Sequence, residues 1–260
     1  MMLLKLLKKN LKLFTFTGLL TLGLIFPSVI LAQQSGNLSQ EIPSDWSFTP
    51  PSGIGDPDNT EGGATRGNGS CLEDNQSIAL LVPPLSKTYT TNAYPTFSWY
   101  LPSNNAYAIK FVLYDEDFNI IYNAESNLEE ALQDNPSEEG QIMSITLPQN
   151  FGMQPLEISH EYTWEVSLIC DNLYSYQDIK TESKIERVPL NNTLARNLQG
   201  ASLEEQVALY ANSDPYPLWI DTLDTLMSLR RLQPNNIEVE QAWIELLRSA
   251  ELEDLTNLNL

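Results

Sequence analysis

Residues 162–168 constrain the fold more than any other part of the sequence. In the stretch Tyr-Thr-Trp-Glu-Val-Ser-Leu, four apolar or aromatic residues alternate with three polar ones. Successive side chains of a β-strand point to opposite faces, so this period of two predicts a strand with one face in a core. Such a face needs a second layer of structure to cover it.

The region after residue 76 predicts a mainly β domain, because short apolar or alternating runs are separated by turn residues. The turn at 115–119 predicts a β-hairpin. Seven strands are predicted in all, at 78–82, 96–101, 106–114, 119–123, 141–147, 161–169 and 182–188. The predicted fold is therefore an antiparallel sandwich of about seven strands, comparable to immunoglobulin-like or fibronectin type III-like sandwiches.

The sequence after Pro189 changes to a period of 3.6, which predicts a C-terminal α-helical extension. Ser202 and Glu205 form a capping-box pattern for a helix at 203–211, and a second helix is expected to start near Pro217. A third helix follows. The apolar stripes of the last two are Trp219, Ile220, Leu223, Leu226, Met227 and Val239, Ala242, Trp243, Leu246, Leu247, Ala250. These stripes either pack on one another and on a sandwich face, or form a groove for a partner.

The N-terminus has the layout of a secretory signal peptide, with a cationic stretch before an apolar run that ends at Ala32. Cleavage after Ala32 would export the chain to the periplasm or the extracellular space. A retained membrane anchor is the alternative, but Gly18, Gly23 and Pro27 within the run favour a signal peptide.

The composition divides the chain into four predicted parts: a signal peptide at 1–32, a flexible linker at 33–69, a β-sandwich domain at 70–190 and a helical region at 191–260. The linker is rich in Gly, Pro, Ser, Asn and Asp. Arg66 is the one Lys or Arg between residues 13 and 86, and we expect it to be a structural anchor that pairs with a carboxylate on the domain.

The charge balance restricts the partners. Loss of residues 1–32 removes four lysines and no acids, which changes the formal charge from −20 to −24. Nucleic acids and anionic lipids are poor partners for such a chain, because they are bound largely through Lys and Arg. An acidic field attracts cations or basic proteins, although it also simply keeps an exported protein soluble. The expected partner is an envelope protein or glycan, and no integral membrane span is expected in the mature chain.

The candidate chemical groups all have simpler explanations. His160 lacks the motifs of a serine or cysteine nucleophile around it, so it is interpreted as a turn residue. Glu157 and Glu165 illustrate the paired carboxylates of a glycosidase, but the acids are too abundant to be specific. Asp115 opens a stretch that resembles a calcium loop, yet Ile120 replaces its turn glycine. The sequence therefore indicates no catalytic, cofactor-binding or metal-ligating residue and no cofactor.

The two cysteines, Cys71 and Cys170, both lie in the part predicted to be exported. Oxidising conditions outside the cytoplasm allow a disulfide to persist, so these residues are predicted to pair. The disulfide would join the segment before the first strand to the end of the sixth.

Several segments in a fixed order resemble a family of exported cyanobacterial proteins catalogued as domain of unknown function 928. They span roughly residues 62–250. The segments are Gly63-Ala64-Thr65-Arg66-Gly67, Cys71, Ala79-Leu80-Leu81-Val82-Pro83, Pro95-Thr96-Phe97-Ser98-Trp99-Tyr100-Leu101-Pro102, Tyr162-Thr163-Trp164 and Ile169-Cys170. The resemblance implies an architecture and no activity, so it assigns no catalytic residues. The acidic stretch at 125–139 looks like an insertion peculiar to this chain.

These observations favour an uncharacterised exported protein that is a non-enzymatic interaction module of the cell envelope or periplasm. An envelope hydrolase with paired carboxylates is one alternative, and it would require a cleft with two buried acids of raised pKa. A calcium-dependent structural or adhesive protein is the other.

Overall fold

The computed structural model describes residues 71–73, 76–84, 87–128, 140–150, 152–171, 173 and 178–256. Arg66, the predicted signal peptide and the predicted linker lie outside these residues. Within them the chain forms eight strands and four α-helices. The strands are β1 Ala79–Leu80, β2 Thr88–Thr90, β3 Thr96–Leu101, β4 Ala108–Tyr114, β5 Ile120–Asn127, β6 Gln141–Thr146, β7 Glu161–Ile169 and β8 Ile179–Arg187. The helices are α1 Asn192–Leu198, α2 Leu203–Ala211, α3 Trp219–Leu232 and α4 Ile237–Ser249, followed by a short 3-10 turn at Glu253–Leu255.

The strands form two sheets. The small sheet has the order β1-β3-β6, and the large sheet has the order β2-β8-β7-β4-β5. All the pairings are antiparallel except that of β2 with β8, which is parallel. The hairpin predicted at 115–119 is confirmed, since it joins β4 to β5.

Aromatic side chains fill the space between the two sheets. The ring of Phe97 on β3 lies 5.1 Å from Phe111 on β4 and 5.0 Å from Trp164 on β7, measured between centroids. Tyr162, Trp164, Val166 and Leu168 are all buried, as the period of two in β7 predicted. Burial of each such side chain contributes about 1.5–3 kcal/mol, so this layer stabilises the contact between the sheets.

Helix α3 covers the other face of the small sheet. The Ser98 hydroxyl contacts the sulfur of Met227 at 3.6 Å, and the indole N–H of Trp219 donates a hydrogen bond of 2.7 Å to the carbonyl of Leu81. Both predicted apolar stripes are buried, in one hydrophobic cluster that also contains the side chains between the sheets. Of the two interpretations of these stripes, packing within the chain is therefore the correct one.

The predicted element boundaries agree best where the hydrophobic period is strong. The bounds of β3, β7 and α2 match the prediction, and Ser202 forms the expected capping box with Glu205. The strand predicted at 78–82 is shorter in the structure, where β1 has two residues. Two elements, β2 and α1, were not predicted. The sequence predicted seven strands, whereas the described residues form eight.

The predicted disulfide is present between Cys71 and Cys170, whose Cα atoms are 5.3 Å apart. It joins the segment before β1 to the residue that follows β7. The carbonyl of Cys71 also accepts a hydrogen bond of 2.9 Å from the backbone of Asn105, and Leu72 forms a β-bridge with Asn104. The start of the described chain is therefore attached to the sheets by covalent and backbone contacts.

The helices of the described region are short compared with a bilayer. The longest, α3, has 14 residues, whereas about 20 apolar residues are needed to span the hydrocarbon core. No described helix has the length and hydropathy of a membrane-spanning segment.

Candidate functional site

A groove lies at one end of the large sheet, where the turn after β4 meets the turn before β7. These strands are antiparallel neighbours, with Tyr114 opposite Thr163, so the two turns are brought to the same edge. The cavity has a volume of about 550 Å³. Five acidic residues and one histidine line it, and we call this site the acidic groove: Asp115, Glu116, Asp117, Glu157, Glu161 and His160.

The carboxylate of Asp115 holds the β4–β5 turn together. It accepts hydrogen bonds from the side chain of Asn119 at 3.0 Å, from the backbone of Asn119 at 2.8 Å and from the backbone of Asp117 at 3.0 Å. Bonds from the side chain and then the backbone of Asn119 hold the pKa of Asp115 below its usual value. These bonds within the turn show Asp115 as the residue that closes an acidic hairpin turn.

Glu116 and Glu161 connect the turn to the large sheet. A carboxylate oxygen of Glu116 accepts a hydrogen bond of 3.0 Å from the backbone of Glu161. Glu161 itself forms ion pairs with Lys184 at 2.8 Å and with Lys87 at 3.2 Å. Partial burial acts to raise the pKa of Glu161, but the bonds from Lys184 and Lys87 outweigh it and lower the pKa below its ordinary value. Glu161 is therefore a charged, fixed wall of the groove.

The opposite wall is formed by the turn at 157–160. The backbone N–H of Glu157 donates a hydrogen bond of 2.8 Å to the hydroxyl of Tyr162, and partial burial raises the pKa of that hydroxyl. His160 lies 3.8 Å from the Glu157 carboxylate, and Ser159 has a positive φ of 62°. His160 is thus a turn residue, as predicted, with a ring that is half exposed.

Exposed apolar side chains lie beside these acids. Ile121 on β5 lines the groove and is 38% exposed. Phe118 in the hairpin turn is 71% exposed, and Ile158 in the opposite turn is 48% exposed. Both turns that form the groove therefore present acidic and apolar side chains together.

The groove lacks the carboxyl arrangement that the hydrolase alternative requires. Its two acids with shifted pKa, Asp115 and Glu161, both have lowered values, whereas a general acid needs a raised one. Burial raises the pKa of Asp221 and Asp224, but neither residue lines the groove. Glu165 also lies elsewhere, bonded to Ser167 and Lys180.

In the described part of the chain, no three His, Cys, Asp or Glu residues are grouped so that they could hold a metal ion. The groove remains a set of charged carboxylates with apolar neighbours. Such an arrangement is suited to attracting positive charge at its surface.

Comparison with protein families places residues 61–260 in the family described as Domain of Unknown Function (DUF928). The chain belongs to the DUF928 family. The match covers most of the chain and confirms the resemblance that the sequence segments, taken in their order along the chain, indicated. The DUF928 description names no activity, so no residue of the groove receives a role from it.

Comparison with curated proteins gave no match. Among solved structures, this DUF928 chain is similar to the apo structure of Bacteroides uniformis beta-glucuronidase 3, with a TM-score of 0.25 and 13% identity over 43% of this chain and 12% of that one. It is also similar to an FMN-binding beta-glucuronidase from Facaelibacterium prausnitzii L2-6, with a TM-score of 0.26 and 10% identity over 70% and 32% of the two chains. The chain spans a third or less of either protein, and these scores support no conclusion on fold or activity.

Proposed function

We propose that this DUF928 chain is an exported, non-enzymatic interaction module of the cell envelope, and that its acidic groove binds a basic segment of another envelope protein. The signal-peptide pattern at 1–32 supports export to the periplasm or the extracellular space. Two packed sheets with a core of alternating residues support an immunoglobulin-like sandwich as the scaffold.

The observation that carries the proposal is the grouping of five carboxylates in the acidic groove. Glu116, Asp117 and Glu157 are among them, and none of these three forms an ion pair with Lys or Arg within the described residues. Fixed negative charge steers a basic partner and contributes to its specificity. The exposed Phe118 and Ile158 beside the acids provide contact area for apolar residues of the same segment.

Binding of a defined basic peptide tests this function. The probe is a fluorescent decapeptide that alternates Lys and Leu, and its affinity is measured by anisotropy with residues 33–260. A triple variant neutralises acids of the groove: Glu116→Gln, Asp117→Asn and Glu157→Gln. Each lost charge contact contributes about 0.2–1 kcal/mol, so the triple variant is expected to bind the peptide about tenfold more weakly, and added salt is expected to weaken wild-type binding.

The matched control removes the same number of charges from exposed acids of the C-terminal region. The control substitutions are Glu238→Gln, Glu245→Gln and Glu253→Gln. Binding of the control is expected to stay close to wild type. Equal weakening in both triple variants would show that overall charge attracts the peptide without a site, and would rule out the groove as the binding surface.

A further inference from the structure

A second groove runs along α1 and α2, and it differs in chemistry from the acidic groove. Two cavities of about 460 and 670 Å³ share Asn197, Leu209 and Asn212 in their linings, so they form one continuous surface. We call it the amide groove. Side-chain amides line it in unusual number: Asn191, Asn192, Asn197, Gln199 and Asn212.

Two of these amides build the walls of the amide groove. The side-chain oxygen of Asn191 accepts a hydrogen bond of 2.8 Å from the backbone of Leu194, and its nitrogen donates one of 3.3 Å to the carbonyl of Asp214. The side-chain nitrogen of Asn212 donates to the carbonyl of Ala208 at 3.1 Å. The bond from Asn191 to Asp214 joins the start of α1 to the segment after α2, whereas the other two cap the start of α1 and the end of α2.

The other amides are available to a ligand. Asn192 and Asn197 are exposed, and neither side chain has a hydrogen-bond partner within the described residues. Each amide carries two donor hydrogens and an acceptor oxygen. A row of such groups matches a ligand whose own groups both donate and accept, which is the property of sugar hydroxyls.

The remaining lining disfavours anionic ligands, because it contains Asp214 and Glu205, and it offers a surface for a sugar ring. Neither cavity is lined by Lys or Arg, so an anionic chain would find no counter-charge. The partly buried Leu209 adds apolar surface on which the C–H face of a pyranose can pack.

We infer that the amide groove is a binding site for a neutral glycan chain. The groove is open along its length and its amides are exposed, so it suits a segment of a polymer better than an enclosed small molecule. The inference does not depend on the acidic groove, since it uses different residues and a ligand without charge.

The test measures binding of residues 33–260 to neutral hexasaccharides of glucose, mannose and N-acetylglucosamine, with a hexasaccharide of galacturonic acid as the anionic comparison. At least one neutral hexasaccharide is expected to bind in titration calorimetry at concentrations up to about 1 mM. The double variant Asn192→Ala, Asn197→Ala is expected to lower that affinity about tenfold, because it removes the hydrogen bonds of two amides. Salt is expected to have no effect, in contrast to binding at the acidic groove.

Two control variants show whether the loss of affinity comes from the amide groups of the groove. Asn123→Ala removes an exposed amide of β5 outside both grooves and is expected to bind like wild type. The variant Asn192→Gln, Asn197→Gln keeps the amide groups and is expected to retain more affinity than the Ala pair. The inference is overturned by the absence of binding to all three neutral hexasaccharides, by binding of the galacturonic acid chain only, or by equal affinity of the Ala pair and Asn123→Ala.

Discussion

The buried carboxyl of Asp221 connects the large sheet to α3, and it makes the stability of the protein depend on pH. Asp221 is 9% exposed, and its carboxylate accepts hydrogen bonds from the Thr91 hydroxyl at 2.9 Å and the Thr91 backbone at 3.2 Å. Burial raises its pKa to about 6, against the opposing effect of hydrogen bonds from Thr90 and Thr91. The folded protein therefore binds a proton here more tightly than the unfolded chain does.

The size and sign of this effect follow from linkage. The pKa rises from 3.8 to about 6 on folding, and one unit corresponds to about 1.4 kcal/mol, so the difference amounts to about 3 kcal/mol. Because the folded pKa is the higher one, this contribution to stability is fully present below pH 3.8 and is lost as the pH rises through about 6. The figure is an upper one, since the N-terminus of α3 also favours the carboxylate.

The variant Asp221→Asn removes this titration and keeps the contact. The oxygen of Asn can accept from the Thr91 backbone, while its nitrogen donates to the Thr91 hydroxyl. The stability of the variant relative to wild type is therefore expected to rise by up to about 3 kcal/mol between pH 4 and pH 7.5. Tyr210 and Asp224 lie near Asp221, but both are present in the two proteins, so the comparison largely removes their own titration.

The assay is urea unfolding of both proteins at half-unit steps of pH, with the free energy of unfolding extrapolated to water at each step. The outcome is decided by how the difference in the free energy of unfolding between the two proteins changes with pH. A difference that stays constant from pH 4 to pH 7.5 would refute the assignment of a raised pKa to Asp221, whatever its absolute size.

Three further predictions concern the disulfide, calcium and export. Replacing Cys71 and Cys170 with Ser is expected to lower the free energy of unfolding by up to about 4–5 kcal/mol, because the cysteines are 99 residues apart, and two free thiols in the exported protein by mass spectrometry would contradict the pairing. Calorimetry is expected to show no calcium binding with a Kd below about 10 μM, the sensor range, because Ile120 stands where a calcium loop needs its turn glycine; a tighter site would contradict this. N-terminal sequencing is expected to begin at Gln33, whereas Met1 on protein from the cytoplasm would argue against cleavage.

The elements that could be predicted are those with a periodic apolar face. In β7 the alternation gives the bounds and the apolar face, although Thr163 and Ser167 on the polar face are buried as well. In α3 and α4 the stripes at helical spacing identify the buried side before any partner surface is known. What these patterns do not contain is the identity of the partner surface, and so the packing of α3 on the small sheet required the structure.

The elements that were missed have no local pattern. Strand β2 is Thr-Tyr-Thr, three residues that are all buried although two of them are polar. Its position depends on β8, almost 100 residues away, and on Asp221 in α3. Helix α1 has one buried residue, Leu194, and begins with an Asn cap and no apolar stripe.

The candidate sites also could not be predicted from local sequence patterns. Asp115 and His160 were each recognised as turn residues, but their meeting in one groove follows from the pairing of β4 with β7. The pairing of these strands is the signal that could have brought them together. The amide groove was missed because the asparagines of α1 and α2 carry neither charge nor periodicity.

Strand β3 connects the helical region and the two sheets within one hydrophobic core. Phe97 faces the large sheet, where it contacts Phe111 and Trp164, while the neighbouring Ser98 contacts α3 on the opposite side. A strand buried on both faces requires a layer on each side, so α3 completes the small sheet. Helix α2 joins the same core through Val207, and it carries one wall of the amide groove. The acidic groove at the end of β7 and the amide groove on α2 are therefore supported by one continuous core, in which Trp164 and Val207 are both fully buried.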